Sequence, residues 1–282
     1  MKRFFLIFAL GTAFLTLFIS SCSAPKETFR LVTYNVGVFG KWDLSSEDYT
    51  ATLMKELDPD AIALQELDSC TTRSGIGRFQ SKTFAEALGD NWGHAYGHAL
   101  KSYKEGSYGI GEVWNKDRLS MKNIYKVMLP RGQASEERAL LVVEYENMVF
   151  ASTHLNGHPS SLQPSVEIIT ETLKARYGES EIPVFLGGDF NARPDNPSIE
   201  YMRQNWTILT PEGATGVEGK NRGVNPAPQT IEEVQGYCID YIMLLNNKAK
   251  VELLDSRICF KFDGGSAFES SDHLPVYIDV RF

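Results

Sequence analysis

The chain has 282 residues, a formal net charge of −8 at pH 7 and four cysteines. This length suits one large α/β domain with two packed sheets, or two ordinary domains. The acidic balance argues against a tight, nonspecific nucleic-acid binder, because such proteins neutralise phosphates with Lys and Arg. It leaves open a nuclease that reaches the phosphate through a bound divalent cation.

The first 21 residues are predicted to be a lipoprotein signal peptide. Lys2 and Arg3 precede an apolar run from Phe4 to Ile19, and the segment Ile19-Ser20-Ser21-Cys22 follows. This segment resembles a bacterial lipobox, in which the cysteine is acylated and becomes the first residue of the mature protein. The apolar run is shorter than the roughly 20 residues that a membrane-spanning helix needs. An ordinary signal peptide with a chance cysteine is the alternative.

Lipidation at Cys22 implies export and attachment to the membrane of the cell envelope, on the periplasmic or outer-membrane side. Residues 22–28 would then form a short tether, and residues 29–282 the single folded domain. Without the two basic residues of the signal peptide, 26 of the 28 basic residues remain against 36 acidic ones, a net charge of −10. The three cysteines that remain allow one disulfide at most, so no disulfide framework holds this fold.

The domain begins with a predicted strand, helix and strand. Phe29 to Val36 alternates apolar and polar residues, which predicts a strand that ends at Asn35. Asp48 to Leu57 has helical spacing, and an Asp-Pro-Asp sequence stops it. Ala61 to Gln65 is predicted to be a short apolar strand that delivers Glu66. This order is the start of an α/β layer structure.

A loop, a helix and two further strands follow. The loop carries Arg73, whose guanidinium can contact a substrate phosphate with two hydrogen bonds; a solvated loop charge is the alternative. Arg78 to Leu88 is predicted to be a helix. His94 to Leu100 and Tyr108 to Trp114 are predicted strands, with Lys101 to Ser107 as a turn or lip between them.

The middle of the chain is predicted to form a hairpin. Leu140 to Tyr145 and Met148 to Thr153 are apolar strands separated by Glu146-Asn147, a two-residue hairpin signal. The hairpin ends at His154. Arg138 precedes its first strand, and we predict a structural ion pair for this residue, with a position in an active-site cleft as the alternative.

The rest of the chain includes one clear amphipathic helix. Pro164 to Tyr177 has apolar residues at intervals of three and four. Val184 to Gly188 is predicted to be a buried strand that ends at Asp189. Thr210 to Gly236 is rich in Gly, Pro, Asn and Thr, which predicts a long surface loop. The last strands are predicted at Ile239–Leu245, Ser256–Phe260 and Val276–Phe282.

Polar side chains lie at the ends of apolar strands in five places, where an active site can be built on a rigid scaffold. Hydrolysis of a phosphate ester requires neutralised charge on the phosphoryl oxygens, a positioned water, and an acid or cation for the leaving oxygen. Glu and Asp are hard oxygen ligands that select magnesium, manganese or calcium. The candidate residues are Asn35, Glu66, His154, Asp189, Asn191, Asp240, Asp272 and His273.

Six segments in series resemble the motifs of the endonuclease/exonuclease/phosphatase superfamily, which has the deoxyribonuclease I-like fold. One such motif alone would be weak evidence, but these occur in the family's order and cover nearly everything after Thr28. The segments are Thr33-Tyr34-Asn35, Leu64-Gln65-Glu66, Ser152-Thr153-His154-Leu155, Gly188-Asp189-Phe190-Asn191, Ile239-Asp240-Tyr241-Ile242 and Ser271-Asp272-His273-Leu274-Pro275.

The resemblance implies a fold and a metal site. The fold would be an α/β (α+β) four-layer sandwich, with two mixed β-sheets packed face to face, helices outside, and the active site at one rim. Glu66 would be the principal metal ligand with Asn35 beside it, and Asp272 would touch the metal directly or through water. The metal would be Mg²⁺, or Mn²⁺ or Ca²⁺.

The resemblance also implies roles for the groups around the phosphoryl. Asp189 would orient or deprotonate the attacking water, and Asn191 would contact a phosphate oxygen as part of the catalytic and substrate-binding set. His154 and His273 would stabilise the pentacovalent transition state, and Asp240 would fix the tautomer of His273. A histidine held by a carboxylate keeps a defined donor and a raised pKa, which suits contact with a phosphoryl oxygen.

The sequence departs from the family pattern after Tyr108-Gly109-Ile110-Gly111. Apolar residues usually continue the strand there, whereas Glu112 interrupts it in this chain. Nuclease-type members keep a carboxylate in this region to orient the first histidine, which is His154 here. Glu105 and Glu112 are both candidates, and the sequence does not choose between them.

The predicted function is divalent-metal-dependent hydrolysis of a phosphoric ester, with a phosphodiester favoured, by a monomer. Nucleic acid, phospholipid or sphingolipid head groups, and inositol or sugar phosphates all suit the same site. The acidic body disfavours nucleic acid, and the tether slightly favours lipid. The alternative is a noncatalytic envelope lipoprotein that uses the scaffold for binding, but the complete set of ligands and histidines argues against it.

Overall fold

The computed structural model describes residues 28–42, 44–218, 228 and 230–282. The predicted signal peptide, Cys22 and the tether up to residue 27 lie outside the described residues. Within the described ranges, no helix combines the length and the apolar composition that crossing a membrane requires.

Strands and helices alternate at the start of the described chain, as the sequence predicts, and runs of consecutive strands follow later. In chain order they are β1 (Thr28–Asn35), α1 (Glu47–Leu57), β2 (Ala61–Ser69), α2 (Gln80–Leu88), β3 (Trp92–Tyr103), β4 (Gly106–Asn115), β5 (Met121–Leu129), β6 (Arg138–Tyr145), β7 (Val149–His154), α3 (Pro159–Tyr177), β8 (Val184–Asp189), α4 (Pro197–Arg203), β9 (Trp206–Ile208), β10 (Gly216–Val217), β11 (Gly236–Tyr237), β12 (Asp240–Leu245), β13 (Glu252–Ile258), β14 (Lys261–Phe262), β15 (Gly265–Ser266), α5 (Ala267–Ser270) and β16 (Val276–Arg281).

Two six-stranded sheets dominate the described residues. The first has the strand order β13-β16-β1-β2-β4-β3, and the second β5-β6-β7-β8-β12-β9. Both are mixed, because β1 pairs with β2 and β7 with β8 in parallel, whereas their other pairings are antiparallel. Helices α1 and α2 cover the outer face of the first sheet, and α3 and α4 that of the second. The predicted four-layer α/β sandwich is confirmed.

The main core lies between the two sheets. Apolar side chains from the facing strands fill this space, among them Leu31, Leu141, Phe150, Phe185 and Ile278, each at most 1% exposed. Two further apolar layers hold the helices on the outer faces. Because three apolar layers fix the sheets relative to each other, the polar residues at the strand ends occupy rigid positions.

Strand register brings three of the candidate residues to one rim. His154, the last residue of β7, pairs with Asp189, the last residue of β8, and Asp189 also pairs with Asp240, the first residue of β12. Strand β12 runs antiparallel to β8, so its beginning lies at the rim where β7 and β8 end. The two sheets pack face to face, and the end of β1 and an internal position of β2 bring Asn35 and Glu66 to this same rim.

The sequence predicts that strand β2 ends at Gln65, but the strand continues to Ser69. Glu66 has a φ of +55°, and the pairing of β2 with β4 shifts between Leu64 and Leu67, which defines a β-bulge. A bulge re-aims one side chain without ending the strand, and bulges are common beside active sites. Here the side chain that it places in the cleft is that of Glu66.

Three other predicted boundaries were wrong for local reasons. The predicted turn or lip from Lys101 to Ser107 is a turn of only two residues, Lys104 and Glu105, both with positive φ, so β3 and β4 are longer than predicted. Helix α3 begins at Pro159 rather than Pro164, because the His158 side chain caps it by accepting from the Ser160 N–H, and proline suits the first helical position.

The segment from Thr210 to Gly236 is partly structured rather than a loop throughout. Strand β10 within it pairs with β11, and Thr215 is fully buried. The Thr215 hydroxyl accepts from the Asp240 N–H at 2.9 Å, and its carbonyl accepts from the Leu274 N–H at 2.7 Å. This segment therefore holds the start of β12 and the loop before β16 together.

Candidate active site

Asn35 lies at the centre of the predicted site. Its side-chain amide is 3.0 Å from Asp189 Oδ2, 3.3 Å from Glu66 Oε1 and 3.4 Å from His273 Nε2. Its own Oδ1 accepts from the Gly37 N–H at 3.1 Å, which fixes the side chain. The side chain is fully buried. One residue at the end of β1 thus joins residues from both sheets and from the last loop.

The Asp240 carboxylate holds His273. Asp240 Oδ2 lies 2.9 Å from His273 Nδ1, and both residues are buried. Burial alone would lower the pKa of His273, but the adjacent Asp240 and Asp189 carboxylates raise it to about 10. His273 is therefore a cation at neutral pH, with Nε2 directed at the centre of the site, where it lies 3.6 Å from Asp189 Oδ2.

Arg138 holds His154, whereas a carboxylate holds His273. Its Nη1 lies 3.3 Å from His154 Nδ1, and Arg138 is 8% exposed. A guanidinium only donates, so Nδ1 must accept and the proton must reside on Nε2. Burial, followed by the charges of Arg138 and His273, holds the pKa of His154 well below its usual value. His154 is therefore a neutral hydrogen-bond donor.

Neither carboxylate that the sequence offered for orienting His154 does so. Glu105 is in the exposed turn between β3 and β4. Glu112 does not interrupt β4 but pairs in register with Ala63 and Ala95, and its side chain is buried between the sheets. There it accepts from the Tyr145 hydroxyl at 2.5 Å. The prediction of a carboxylate beside His154 was wrong, because Arg138 from the start of β6 fills that position.

Asp189 and Asn191 form a tight turn at the end of β8. The Asn191 N–H donates to Asp189 Oδ1 at 2.8 Å, and Asn191 adopts a left-handed φ of +48°, which asparagine tolerates. The Asn191 side-chain Nδ2 donates to the Leu155 carbonyl at 3.0 Å and lies 3.1 Å from His154 Nε2. Burial first, and then the nearby Asp240, raises the pKa of Asp189 to about 7, so this carboxyl can exchange a proton near neutral pH.

Lys41, which the sequence did not single out, lies over the predicted metal ligands. Its Nζ is 2.9 Å from Asp272 Oδ2 and 3.8 Å from Glu66 Oε2. A run of left-handed residues, Gly37 to Phe39, turns the chain back over the rim just before Lys41. Asp272 thus has a cationic partner from the protein itself, and its predicted contact with metal stays a prediction.

Arg73 contacts an acidic residue rather than lying free for substrate. Its Nε and Nη2 bind the two oxygens of the buried Asp68 at 2.7 and 2.9 Å, and its guanidinium stacks near the rings of Tyr103 and Tyr108. Burial would raise the pKa of Asp68, but hydrogen bonds led by that from Arg73 lower it, so Asp68 is ionised. Nη1 remains within 3.4 Å of the Tyr103 hydroxyl at the cleft.

Several of these residues line one cleft of about 360 Å³. Each of its lining residues carries a polar group, which suits a small, strongly polar ligand. Its lining combines candidate catalytic residues with two arginines and two tyrosines. The lining residues are Glu66, Arg73, Tyr103, Tyr108, Glu136, Arg138, His154, Asp189, Asn191 and His273.

The donors at the rim fit a hard divalent cation. Glu66 and Asp272 already share a cation, the Lys41 ammonium, and Asn35 lies next to Glu66. Asp189 and Asp240 each offer a carboxylate oxygen, and these two atoms lie within 4.8 Å of each other; Asp240 Oδ1 is buried without a hydrogen-bond partner in the described part of the chain. Carboxylate and amide oxygens are the ligands that magnesium and manganese prefer.

The remaining histidines lie outside the cleft lining. His94 contacts Phe79 and Ser81, and His158 caps α3. The sequence missed Lys41, Tyr108 and Glu136. No local signal marks these three, because their positions follow from hairpin and sheet geometry rather than from a motif.

Comparisons with known proteins agree with this geometry. The model of the Endonuclease/Exonuclease/phosphatase family matches residues 32–273. No curated protein matches the chain.

Solved structures of low sequence identity share the fold. The endonuclease/exonuclease/phosphatase from Bacteroides vulgatus is 17% identical, with a TM-score of 0.68 over 91% of this chain and 100% of that one. A mannosyl-6-phosphatase from Bacteroides thetaiotaomicron is 15% identical, with a TM-score of 0.63 over 90% and 100%. D. rerio TDP2, complexed with a single-strand DNA product, is 15% identical, with a TM-score of 0.64 over 90% and 99%.

Proposed function

The chain belongs to the endonuclease/exonuclease/phosphatase family, whose members are metal-dependent hydrolases of phosphoric esters, and we propose that it hydrolyses a small polar phosphoric ester with Mg²⁺ at the cell envelope. The observation that carries the proposal is the convergence of Asn35, Glu66, Asp189 and His273 through contacts of 3.0 to 3.6 Å. Separate strands and the last loop supply these residues, so a purely structural reason for the cluster is weak.

The cation would be held by Glu66 and Asn35, with Asp272 nearby, and would neutralise phosphoryl charge when bound. Asp189 lies among donors and can accept the proton of an attacking water, since its pKa is raised to about 7. His273 donates from Nε2 as a cation, and His154 donates from Nε2 as a neutral ring. Both donors point at the same centre, where negative charge develops in the transition state.

The nature of the ester and the location are further parts of the proposal. A diester is the expectation from sequence, whereas two guanidinium groups at the cleft, those of Arg73 and Arg138, favour an ester with more negative charge. The lipobox-like sequence ending at Cys22 supports export and lipid attachment. A Cys22→Ser variant should lose palmitate labelling and leave the membrane fraction, whereas a Cys70→Ser variant should keep both.

The activity is tested with purified protein and two chromogenic esters, p-nitrophenyl phosphate and bis-p-nitrophenyl phosphate. We expect turnover that requires Mg²⁺ or Mn²⁺ and that falls by about 10² or more in Glu66→Ala. Glu252→Gln, an exposed carboxylate on β13, is the matched control and should retain wild-type rates. Metal-independent rates on both esters, equal in Glu66→Ala and wild type, would refute the hydrolase proposal.

A further inference from the structure

We propose that Arg138 selects an ester whose phosphoryl group carries two negative charges, so that the enzyme prefers a phosphomonoester to a phosphodiester. The inference rests on the proposed function, because it concerns the same cleft. Near neutral pH the terminal phosphoryl of a monoester carries between one and a half and two negative charges and has three free oxygens. A diester has one charge and two free oxygens.

Arg138 is held in place before any substrate binds. Its Nε lies 3.3 Å from Asn156 Oδ1, and the Asn156 amide in turn donates to the Glu136 carbonyl at 2.9 Å. Its Nη2 lies 3.1 Å from Glu136 Oε2 at the rim. An arginine fixed in this way presents the N–H groups of Nη1 and Nη2 that these partners leave unused, without losing further side-chain entropy on binding.

The position of Arg138 is next to the phosphoryl centre. One imidazole ring separates its Nη1 from His154 Nε2, which lies 3.5 Å from Asp189 Oδ2. A carboxylate at this position, like Asp240 beside His273, would oppose added negative charge on the substrate. The guanidinium attracts it instead, and burial reduces solvent screening of that attraction.

The surrounding wall adds donors rather than apolar surface. Tyr108 and Arg138 both line the cleft, and the Tyr103 hydroxyl lies 3.4 Å from Arg73 Nη1. Asp68 occupies one edge of Arg73, and Glu136 lines the cleft while its Oε2 pairs with Arg138 Nη2 at 3.1 Å. The second ester group of a diester would have to lie against this polar wall, where it would make few favourable contacts. A third free phosphoryl oxygen would instead accept hydrogen bonds from the wall.

The experiment compares the two p-nitrophenyl esters in matched variants. Arg138→Gln keeps a donor but removes the charge, Arg138→Lys keeps the charge, and Arg118→Gln removes a salt-bridged arginine outside the cleft. We expect Arg138→Gln to lower kcat/KM about tenfold or more for the monoester and less than about threefold for the diester. Arg138→Lys should retain most of the preference, and Arg118→Gln all of it. An equal loss on both esters would overturn the proposal.

A binding measurement separates this inference from the proposed activity and does not depend on the Arg138 variants folding. Calorimetry with inorganic phosphate and with dimethyl phosphate, in the presence of Mg²⁺, should show at least about tenfold tighter binding of inorganic phosphate to the wild-type protein. Arg73→Gln, at a side chain that is 35% exposed, should reduce the difference between the two affinities. Equal affinities for the two anions would overturn the inference, whereas absence of turnover on either ester would count against the hydrolase proposal alone.

Discussion

Arg138 donates to Nδ1 of His154 over 3.3 Å, and this contact gives the two active-site histidines opposite electrostatic partners. At the equivalent nitrogen of His273 the partner is the Asp240 carboxylate, 2.9 Å away. A guanidinium stabilises a neutral imidazole that accepts at Nδ1, and a carboxylate stabilises an imidazolium. One site therefore holds one neutral and one cationic histidine, both with a proton on Nε2.

The first prediction concerns these protonation states in the metal-free protein. Nitrogen chemical shifts at pH 7 should show His273 doubly protonated and His154 neutral with its proton on Nε2. In Asp240→Asn the pKa of His273 should fall, because burial lowers it and the main charge that raised it is gone. His98→Gln, in strand β3, provides the assignment control. A cationic His154 at pH 7 would contradict the role assigned to Arg138.

The second prediction is a bell-shaped pH dependence of kcat/KM for p-nitrophenyl phosphate. The value of kcat/KM should rise with pH as Asp189 loses its proton. Bound metal should move this acidic limb to a pH below the pKa of about 7 that Asp189 has in the metal-free site. The value of kcat/KM should fall again at alkaline pH as His273, whose pKa is raised to about 10, loses its proton. In Asp240→Asn the alkaline limb should move to lower pH and kcat should fall about 10² or more. An unmoved alkaline limb would mean that His273 does not set it.

Much of this site follows from sequence because motif residues end buried strands. Apolar runs place β1, β7 and β8, and their last residues, Asn35, His154 and Asp189, are motif residues at one rim. Parallel neighbours must end at the same edge, so the convergence of His154 and Asp189 is a consequence of sheet geometry. The sequence alone did not specify the register, but any register that buries the apolar faces brings these ends close together.

The features that sequence missed depend on contacts between distant segments. Nothing around Arg138 indicates that it faces His154 across a hairpin, and Glu112, one of the two candidate carboxylates, pairs with Tyr145 on the other sheet. The bulge at Glu66 is invisible in the apolar pattern, because the strand continues on both sides of it. Strand β5 was missed because its first four residues are exposed and its apolar and polar residues do not alternate clearly.

The third prediction concerns Lys41 and metal affinity. Its ammonium pairs with Asp272 and lies near Glu66, so it competes with a divalent cation for the same carboxylates. Lys41→Met should bind Mn²⁺ about three- to tenfold more tightly, a modest effect because the ammonium is one-third exposed and partly screened. Lys101→Met, an exposed strand position, is the control for a general change in charge. Weaker Mn²⁺ binding in Lys41→Met would show that Lys41 instead holds the carboxylates in place for the metal.

The fourth prediction concerns Glu112, a buried carboxyl with no part in the site. Full burial raises its pKa well above the usual value, with only partial opposition from the Tyr145 hydrogen bond, and its Oε2 has no partner among the described residues. It is therefore neutral when folded, whereas in the unfolded chain it ionises near pH 4.5. Above that pH the folded state binds one more proton than the unfolded state, so Glu112 lowers the free energy of unfolding as pH rises.

Glu112→Gln removes this titration and keeps an oxygen that can accept from Tyr145. The free energy of unfolding is measured with urea at pH 5, 6 and 7. Between pH 5 and pH 7 the value for the variant should rise relative to that for wild type by about 1–3 kcal/mol. One linked proton contributes at most about 1.4 kcal/mol per pH unit. Subtracting the two proteins cancels every other titrating group. Glu252→Gln, on the surface, should run parallel to wild type. If the Glu112→Gln curve also runs parallel, the carboxyl is ionised in the folded protein, and water or a cation must reach it between the sheets.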